Sequence, residues 1–328
     1  MKLIDDLIEP TTLTGYSREE VDKFDATGAT LADLFPNVVS DSTFVEWTVG
    51  GRNEDVAEFR AFDAEAMIGG TSGMETRTAR LPAISLKRRF GELEQLLRMG
   101  QGAPETVEAA AERLALAVAR GVVRGLVKRR GEALATGKLE IDENGFKQSV
   151  DFGRKKEHTA TASELWSTGG DPVADLETWR DAYEAENGVA PSRLLVSRKV
   201  MSVLVRHTAL RAYLGGSAPS MVAQAEVAEI LQSHGLPAPE VFSDRVGGAP
   251  VLPENGIILA APGAGFTGWG TTVEASKPNY GFAGLDMPGL VVGAYESEDP
   301  AMMWVRANAI AMPVLANPNL TFAATVVA

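Results

Sequence analysis

The chain has 328 residues, of which 45% are hydrophobic, so it is long and apolar enough to build one or two cores of ordinary size. A formal net charge of −13 argues against a protein that grips free nucleic acid, because such proteins need positive surface to displace counterions. The chain contains no cysteine, no signal-peptide pattern and no apolar run of about eighteen residues, which fits a protein made and kept in a reducing cytoplasm outside membranes.

The first 42 residues predict a short amphipathic piece followed by an extended arm. Turn residues recur at Thr14-Gly15, Gly28 and Pro36-Asn37. The apolar residues between them are too scattered to form a core. We therefore expect this segment to pack on another surface.

Two strands are predicted at residues 43–49 and 79–86, with a glycine-rich stretch at residues 69–73 between them. This pattern indicates a long two-stranded excursion. Because an isolated hairpin is marginally stable in water, an excursion of this length predicts a partner surface.

A long helix is predicted from Pro104 to Thr136. Proline suits the first helical turn, and Gly137 suits the left-handed residue that ends a helix. Apolar residues recur at three- and four-residue steps, with acidic residues near the start and basic residues near the end. At 1.5 Å per residue the helix would be roughly 50 Å long, which favours an architectural role.

A tight hairpin is predicted at residues 138–153, because Asn144-Gly145 readily supplies the positive φ angles of such a turn.

A compact region of mixed helices and strands is predicted to begin near residue 169. The predicted elements there and in the tail are helices at 172–186, 199–207 and 220–233 and strands at 194–197, 256–261, 290–295, 302–312 and 320–327.

Candidate chemistry is sparse. The stretch Gly263-Ala264-Gly265-Phe266-Thr267-Gly268 matches a dinucleotide fingerprint, but the residues after it predict β structure, whereas the fingerprint requires a helix there. A glycine-rich loop is the favoured interpretation. His158, His207 and His234 are too far apart for a zinc motif, and we expect each at the surface or at a helix end. No catalytic residue, cofactor or metal ligand is predicted.

Charge suggests contacts between copies. The excursion is rich in acids, and three basic clusters lie elsewhere, so a head-to-tail contact between neighbours could pair them; solvated surface is the open alternative. Trp47 and three other apolar residues of the excursion would serve as anchors. The predicted interface residues are Arg52, Glu54, Asp55, Glu58, Phe59, Arg60, Phe62, Met67, Arg88, Arg89, Lys128, Arg129, Arg130, Arg154, Lys155 and Lys156.

The order of elements resembles that of HK97-fold major capsid proteins of tailed phages, in particular the lambda-type group known as major capsid protein E. The resemblance rests on Arg88-Arg89 before the helix, on the helix end at residues 132–138, and on Val150-Asp151-Phe152-Gly153 after it. Trp166 and Pro253-Glu254-Asn255-Gly256 fit as well. The resemblance covers essentially the whole chain, and it consists of short motifs that occur in the same order as in the family.

This resemblance implies an α+β, HK97-like capsid fold. Its parts would be an N-terminal arm (1–42), an E-loop (43–88), a peripheral domain with the long spine helix and hairpin (89–168), a mixed α/β axial domain (169–284), and C-terminal strands that return to the peripheral domain (285–328). It implies homo-pentamers and hexamers that close into an icosahedral shell around double-stranded DNA.

The implied partners are a scaffolding protein and a portal during assembly, a possible decoration protein, and packaged DNA held by weak nonspecific contact. The implied location is the virion capsid, assembled in host cytoplasm, without a membrane. Some relatives cross-link an E-loop lysine to a neighbour's asparagine. No lysine occurs between Trp47 and Leu86, so we predict a shell without that cross-link.

Two alternatives stay open. An encapsulin-like compartment shell would share the fold, and a nucleotide-binding α/β enzyme would use Gly263–Gly268. The charge hypothesis predicts that Arg129→Glu and Lys155→Glu leave a folded protomer that fails to assemble.

Overall fold

A computed structural model describes residues 9–50, 59–60, 62, 65, 74–91, 93, 96–97, 107–214, 221–275, 289–297 and 302–328. The helices are α1 Pro10–Asp25, α2 Val107–Thr136, α3 Pro172–Asn187, α4 Arg198–Arg206, α5 Thr208–Tyr213 and α6 Gln224–Ser233. The first eight strands are β1 Asn37–Val39, β2 Phe44–Gly50, β3 Met74–Arg80, β4 Ala83–Phe90, β5 Lys138–Glu143, β6 Phe146–Asp151, β7 Thr159–Thr161 and β8 Arg193–Val196. The others are β9 Pro239–Val241, β10 Arg245–Val246, β11 Ala249–Pro250, β12 Gly256–Ala260, β13 Phe266–Gly270, β14 Val291–Ser297, β15 Met302–Val314 and β16 Thr321–Thr325.

The first sheet is built around β15, the long strand that pairs antiparallel with β4, β13 and β14, while β1 adds in parallel to β13. Helix α2 packs on this sheet, and its apolar stripe is buried. Val118, Val122 and Leu126 are each at most 2% exposed. The predicted stripe of the long helix is confirmed, and it forms the larger of the two cores.

Glycines let neighbouring chain segments approach α2 closely. A Cβ added at Gly131 would lie 2.2 Å from the carbonyl oxygen of Val251, which is backbone and cannot turn away. On the same helix, a Cβ at Gly125 would meet the Ile84 side chain of β4 at 2.7 Å. Glycine normally weakens a helix interior by about 0.5–1 kcal/mol, so these positions trade helix propensity for close packing.

The second sheet has the order β7-β16-β12-β8-β9 and is covered on both faces. Side chains of a strand alternate between faces, and the strands here divide their residues accordingly. Leu195, Ile258 and Ala323 join the core around α2. Leu194, Ile257 and Phe322 join a smaller core with helices α3 to α6. This is why the fully buried strand β12 reads as a continuous apolar run.

Local signals for turns and caps are confirmed. Gly137 follows α2 at φ 69°, and Asn144 and Gly145 connect β5 to β6 at φ 48° and 82°. The Asp171 side chain accepts from the backbone N–H groups of Val173 and Ala174 at the start of α3, and Gly188 ends that helix at φ 63°. At each of these positions the folded protein keeps the backbone conformation or capping contact that the local sequence favours.

The predicted extended conformation of the N-terminal arm is wrong over residues 10–25, whereas the expectation that the segment packs on another surface is confirmed. Thr14 and Gly15 lie inside α1, a sixteen-residue helix, and not in a turn. The helix packs on α2 and β14 of the same chain, and Leu31, Leu34 and Phe35 after it are fully buried. The scattered apolar residues thus find a surface within their own protomer.

One further expectation needs correction. The strand predicted at 79–86 is divided, because β3 pairs with β2 and ends at Arg80 whereas β4 starts at Ala83 and pairs with β15. The last strand, β16, pairs with β12 and with β7 in the second sheet. The favoured interpretation of residues 263–268 is confirmed, because residues 263–265 lie in a loop, residues 266–268 begin β13, and no helix follows up to residue 275, so the geometry of a dinucleotide fingerprint is lacking.

Candidate subunit-contact surfaces

The base of the β2–β3 ribbon is fixed to its own protomer. Trp47 is 5% exposed, and its ring centroid lies 6.0 Å from that of Phe152. Arg77 donates from Nη1 to the carbonyl oxygen of Phe152 at 2.9 Å and to that of Asp151 at 3.3 Å. Trp47 therefore belongs to the protomer's core, which corrects the expectation that it anchors a neighbouring copy.

Beyond the ribbon, two aromatic side chains are bare. Phe59 and Phe62 are 108% and 98% exposed, and Arg60 and Glu65 nearby are exposed as well. Exposed aromatic side chains of this size commonly mark a contact surface. The predicted interface residues Arg52, Glu54, Asp55, Glu58 and Met67 lie outside the described residues, as does the glycine-rich stretch at 69–73.

The basic end of α2 pairs with acids of the adjacent hairpin in the same chain. Arg129 donates to Glu132 at 2.5 Å and to Glu143 at 2.8 Å, and Lys128 lies 3.4 Å from Glu143. Arg129 keeps 13% of its side chain exposed, whereas Lys128 keeps 52%. Lys128 can still meet a neighbour, but Arg129 is engaged within its protomer.

Arg130 was predicted at the interface, and the structure corrects this. Its side chain is 1% exposed and points into the protomer. Nη1 donates to the carbonyl oxygen of Thr30 at 2.8 Å, Nε donates to Thr267 Oγ1 at 3.1 Å, and Asp25 Oδ1 lies 3.8 Å away. Burial lowers the pKa of Arg130, while Asp25 and Asp33 act in the opposite direction. Arg130 ties the N-terminal segment to β13.

The third basic cluster, Arg154 to Lys156, also makes contacts mainly within its own chain. Arg154 donates to the carbonyl oxygens of Leu134 at 2.6 Å and Ala135 at 2.8 Å, so it caps the C-terminus of α2. Burial lowers the pKa of Arg154 to about 10. Lys155 pairs with Glu186 at 2.5 Å, and Lys156 is exposed. Arg154 is thus a capping residue and not a free surface cation.

The cluster on β4 remains at the surface. Arg88 and Arg89 are exposed, and the ammonium of Lys87 lies 4.6 Å from the ring centroid of Trp304 on β15. β4 pairs with β15 over residues 83–90, so these cations are held on a rigid strand. A rigid basic strand is a suitable contact for an acidic loop.

The family described as phage major capsid protein E matches residues 25–326 of the chain. The chain belongs to this family. It is a structural capsid protein and not an enzyme, and it self-associates as a component of a virion capsid. The resemblance noted from the sequence is thereby confirmed.

Solved structures of the HK97 type share the capsid protein's fold. A phage-related protein from Bordetella bronchiseptica RB50 is 13% identical, with a TM-score of 0.62 over 99% of this chain and 98% of that chain. A putative prophage capsid protein from E. coli CFT073 is 16% identical, with a TM-score of 0.59 over 98% and 99%. A virus-like particle from Pyrococcus furiosus is 11% identical, with a TM-score of 0.53 over 96% and 98%.

A comparison with curated protein sequences gives no match. The α+β, HK97-like fold class is confirmed, and neither the encapsulin-like shell nor the nucleotide-binding enzyme is favoured. Among the described residues no helix of the capsid protein has the length and apolar character to cross a membrane.

The histidines of the capsid protein serve structural contacts. His158 is 1% exposed and stacks on Tyr183, so it is not at the surface, but it ends the short 3-10 helix Lys156–His158, which agrees with a helix-end position. Burial lowers the pKa of His158. His207 caps the start of α5, and His234 at the end of α6 contacts Glu177 at 2.8 Å. Within the described ranges, no cluster of three or more histidine and acidic side chains could hold a metal ion.

Sequence reasoning missed one exposed apolar set in the capsid protein. Leu93, Leu96 and Leu97 are helical and are 71%, 61% and 67% exposed. Their spacing of three and four residues was a readable signal for one helical face. We call these three side chains the leucine face.

Proposed function

We propose that the capsid protein forms homo-pentamers and hexamers that close into the icosahedral head of a tailed phage around double-stranded DNA. The observation that carries this proposal is the family match over residues 25–326, in a chain whose loop beyond β2–β3 displays Phe59 and Phe62 unburied. Apolar groups that a single protomer leaves in water gain free energy when another copy covers them.

Assembly would take place in host cytoplasm with a scaffolding protein and a portal, and a decoration protein is a further candidate partner. The net charge of −13 supports weak, nonspecific contact with packaged DNA, since few phosphates would be neutralised. Residues 43–88 would act as the E-loop, 89–168 as the peripheral domain and 169–284 as the axial domain.

We further propose that the acidic loop meets the exposed cations of a neighbouring copy. Arg88, Arg89 and Lys156 remain candidates because their side chains are exposed. Lys128 and Lys155 remain candidates as well, because each keeps 52% of its side chain exposed beside an acid of its own chain. Arg129, Arg130 and Arg154 are engaged within the protomer. Arg129→Glu and Lys155→Glu would each break an ion pair within the protomer. Loss of assembly in either variant would therefore not be specific evidence for a contact between copies.

Electron microscopy of the purified protein tests the function directly, and we expect closed shells. Arg88→Glu with Arg89→Glu should reduce shell formation, whereas Arg124→Glu, on the exposed side of α2, is a charge reversal at a control site and should not. Small oligomers at every concentration would contradict the proposal, and equal loss in both variants would contradict the role of β4.

Two further readouts separate the rivals. Nuclease-protected DNA in particles made during infection would support a phage head, while protein cargo without DNA would support an encapsulin-like compartment. SDS gels of mature particles should show single chains, because the loop has no lysine between Trp47 and Leu86. A covalent ladder would contradict that expectation.

A further inference from the structure

The tripeptide Glu-Asn-Gly occurs three times in the capsid protein, at residues 143–145, 186–188 and 254–256. An asparagine that precedes glycine can cyclise, because glycine has no side chain that hinders the approach of its backbone nitrogen. The three sites share the same residues around the reacting atoms. Differences in their reactivity should therefore come mainly from the folded structure.

The reaction needs only the chain and water. The glycine nitrogen attacks Cγ of the asparagine, the Cγ–Nδ2 bond breaks, and ammonia leaves with the proton of the attacking nitrogen. Water then opens the cyclic imide. Attack at Cγ gives aspartate, and attack at the main-chain carbonyl carbon gives isoaspartate, whose main chain runs through Cβ and Cγ. A site reacts readily only if the side-chain amide and the glycine N–H are both free to move.

The tripeptide at the end of α3 is held by its side chain and by its main chain. Asn187 Nδ2 donates to the carbonyl oxygens of Tyr183 at 3.0 Å and Asn319 at 2.8 Å. The Gly188 N–H donates to the carbonyl oxygen of Glu184 at 2.7 Å. Cyclisation would break these three hydrogen bonds together with the last turn of the helix.

The tripeptide before β12 is held by its main chain. The carbonyl oxygen of Asn255 accepts from the N–H groups of Val326 at 2.9 Å and Val327 at 3.1 Å. Gly256 is buried and pairs with Thr325 in the second sheet. The peptide that joins Asn255 to Gly256 cannot rotate unless this end of the sheet opens.

The tripeptide of the β5–β6 hairpin is free in both respects. Asn144 and Gly145 are exposed and form the two-residue turn. Within the part of the chain that the structure describes, neither the Asn144 side chain nor the Gly145 N–H has a hydrogen-bond partner. The hairpin is a two-stranded sheet of its own, so its tip can open locally at little cost.

We propose that Asn144 is a site of spontaneous covalent modification, which converts to aspartate and isoaspartate while Asn187 and Asn255 are protected by the fold. The three identical tripeptides and their different hydrogen bonds carry this inference. It does not rest on the proposed function, because the reaction requires only the folded protomer.

The product should loosen the tip of the hairpin. The new carboxylate would lie next to Glu143, which Lys128 and Arg129 already contact at 3.4 and 2.8 Å. Isoaspartate also lengthens the main chain of a two-residue turn that depends on positive φ angles. The pairing of Glu143 with Phe146, which closes the hairpin, would then no longer fit.

Mass spectrometry of aged protein tests the proposal. The purified full-length protein would be incubated in warm, mildly alkaline buffer and digested at acidic pH, which suppresses cyclisation during the analysis. Exchange of amide for acid raises the mass of a peptide, and chromatography separates its isoaspartate and aspartate forms. The Asn144 peptide should convert at least about tenfold faster than those of Asn187 and Asn255, which requires a barrier difference of only about 1.4 kcal/mol.

Two controls separate the fold from the local sequence. In urea-unfolded protein the three peptides should convert at similar rates, because their hydrogen bonds are gone. Asn144→Gly removes the amide and keeps a residue that accepts positive φ, so its hairpin peptide should gain no mass while the other two sites behave as in the natural protein.

The fastest conversion at Asn144 in folded protein and similar rates in urea would support the proposal. Equal rates at the three sites in folded protein, faster conversion at Asn187 or Asn255, or a stable Asn144 would each overturn it. None of these outcomes bears on shell formation, so the proposed function stands or falls separately by electron microscopy.

Discussion

Residues 10–39 and the residues around Phe59 have similar character in the sequence, since both are acidic and carry scattered apolar side chains. The protomer buries apolar side chains of the first segment and leaves Phe59 and Phe62 of the second in water. Leu13, Leu31 and Phe35 are at most 1% exposed, whereas Phe59 and Phe62 are essentially bare. Apolar content alone therefore does not decide which segment folds onto its own chain.

Polar contacts with the interior distinguish the N-terminal segment. Thr14 Oγ1 donates to the carbonyl oxygen of Val292 and accepts from its N–H, and Arg18 Nε donates to the carbonyl oxygen of Leu290. Arg130 holds the turn after α1. These contacts satisfy buried backbone groups while the helix covers apolar surface, so the segment folds as part of the protomer.

The largest effect is expected from Arg130→Ala. Removing the guanidinium leaves the carbonyl oxygen of Thr30 without its buried donor and Asp25 without its nearby buried cation, which should lower the free energy of unfolding by about 3–5 kcal/mol. Urea unfolding of the protomer measures this change. Arg124→Ala on the exposed side of the same helix should shift it by less than about 0.5 kcal/mol. Equal losses in both would show that Arg130 does not hold the segment.

Thr14→Val should lower the free energy of unfolding by about 1–3 kcal/mol, because the N–H and carbonyl groups of Val292 lose their buried partner while the shape is nearly kept. The same urea titration applies. Thr12→Val, an exposed change on α1, is the control and should be nearly neutral. Release of residues 1–39 to limited proteolysis should follow Thr14→Val and not Thr12→Val.

Gly15→Ala should raise the free energy of unfolding by about 0.5–1 kcal/mol, because Gly15 lies in α1 with open space around its Cβ position. The turn that the sequence predicted at Thr14-Gly15 would give the opposite sign. Gly28→Ala is the comparison, and it should destabilise because Gly28 has φ +73°. Thermal unfolding followed by circular dichroism distinguishes the two signs.

Phe59→Ser with Phe62→Ser should change the free energy of unfolding by less than about 0.5 kcal/mol, because neither ring is packed in the protomer. Shell formation, followed by sedimentation, should nevertheless be lost. Val189→Ser, at a 51% exposed apolar position elsewhere, should leave both properties unchanged. Normal shells from the double variant would remove these rings from the assembly contact.

Elements with dense local signals were predictable. The end of α2 at Gly137, the turn at Asn144-Gly145 and the cap of α3 at Asp171 follow from backbone preferences that act within a few residues. The order of such elements was enough to indicate the capsid family. Basic clusters carried weaker information, because a run of cations has the same sequence whether it lies at the surface or in the interior.

The sequence by itself determined the long helix, its hairpin, the buried strand near residues 256–261 and the family to which they belong. Only the tertiary structure decided that α1 folds onto α2, that Arg130 and Arg154 satisfy buried or terminal backbone groups, and that Phe59 and Phe62 remain uncovered. The reason is the separation along the sequence over which each kind of interaction acts. Helix, turn and cap energies depend on immediate neighbours in the chain, whereas the contacts of Arg154 and Arg130 depend on partners 19 to 137 residues away.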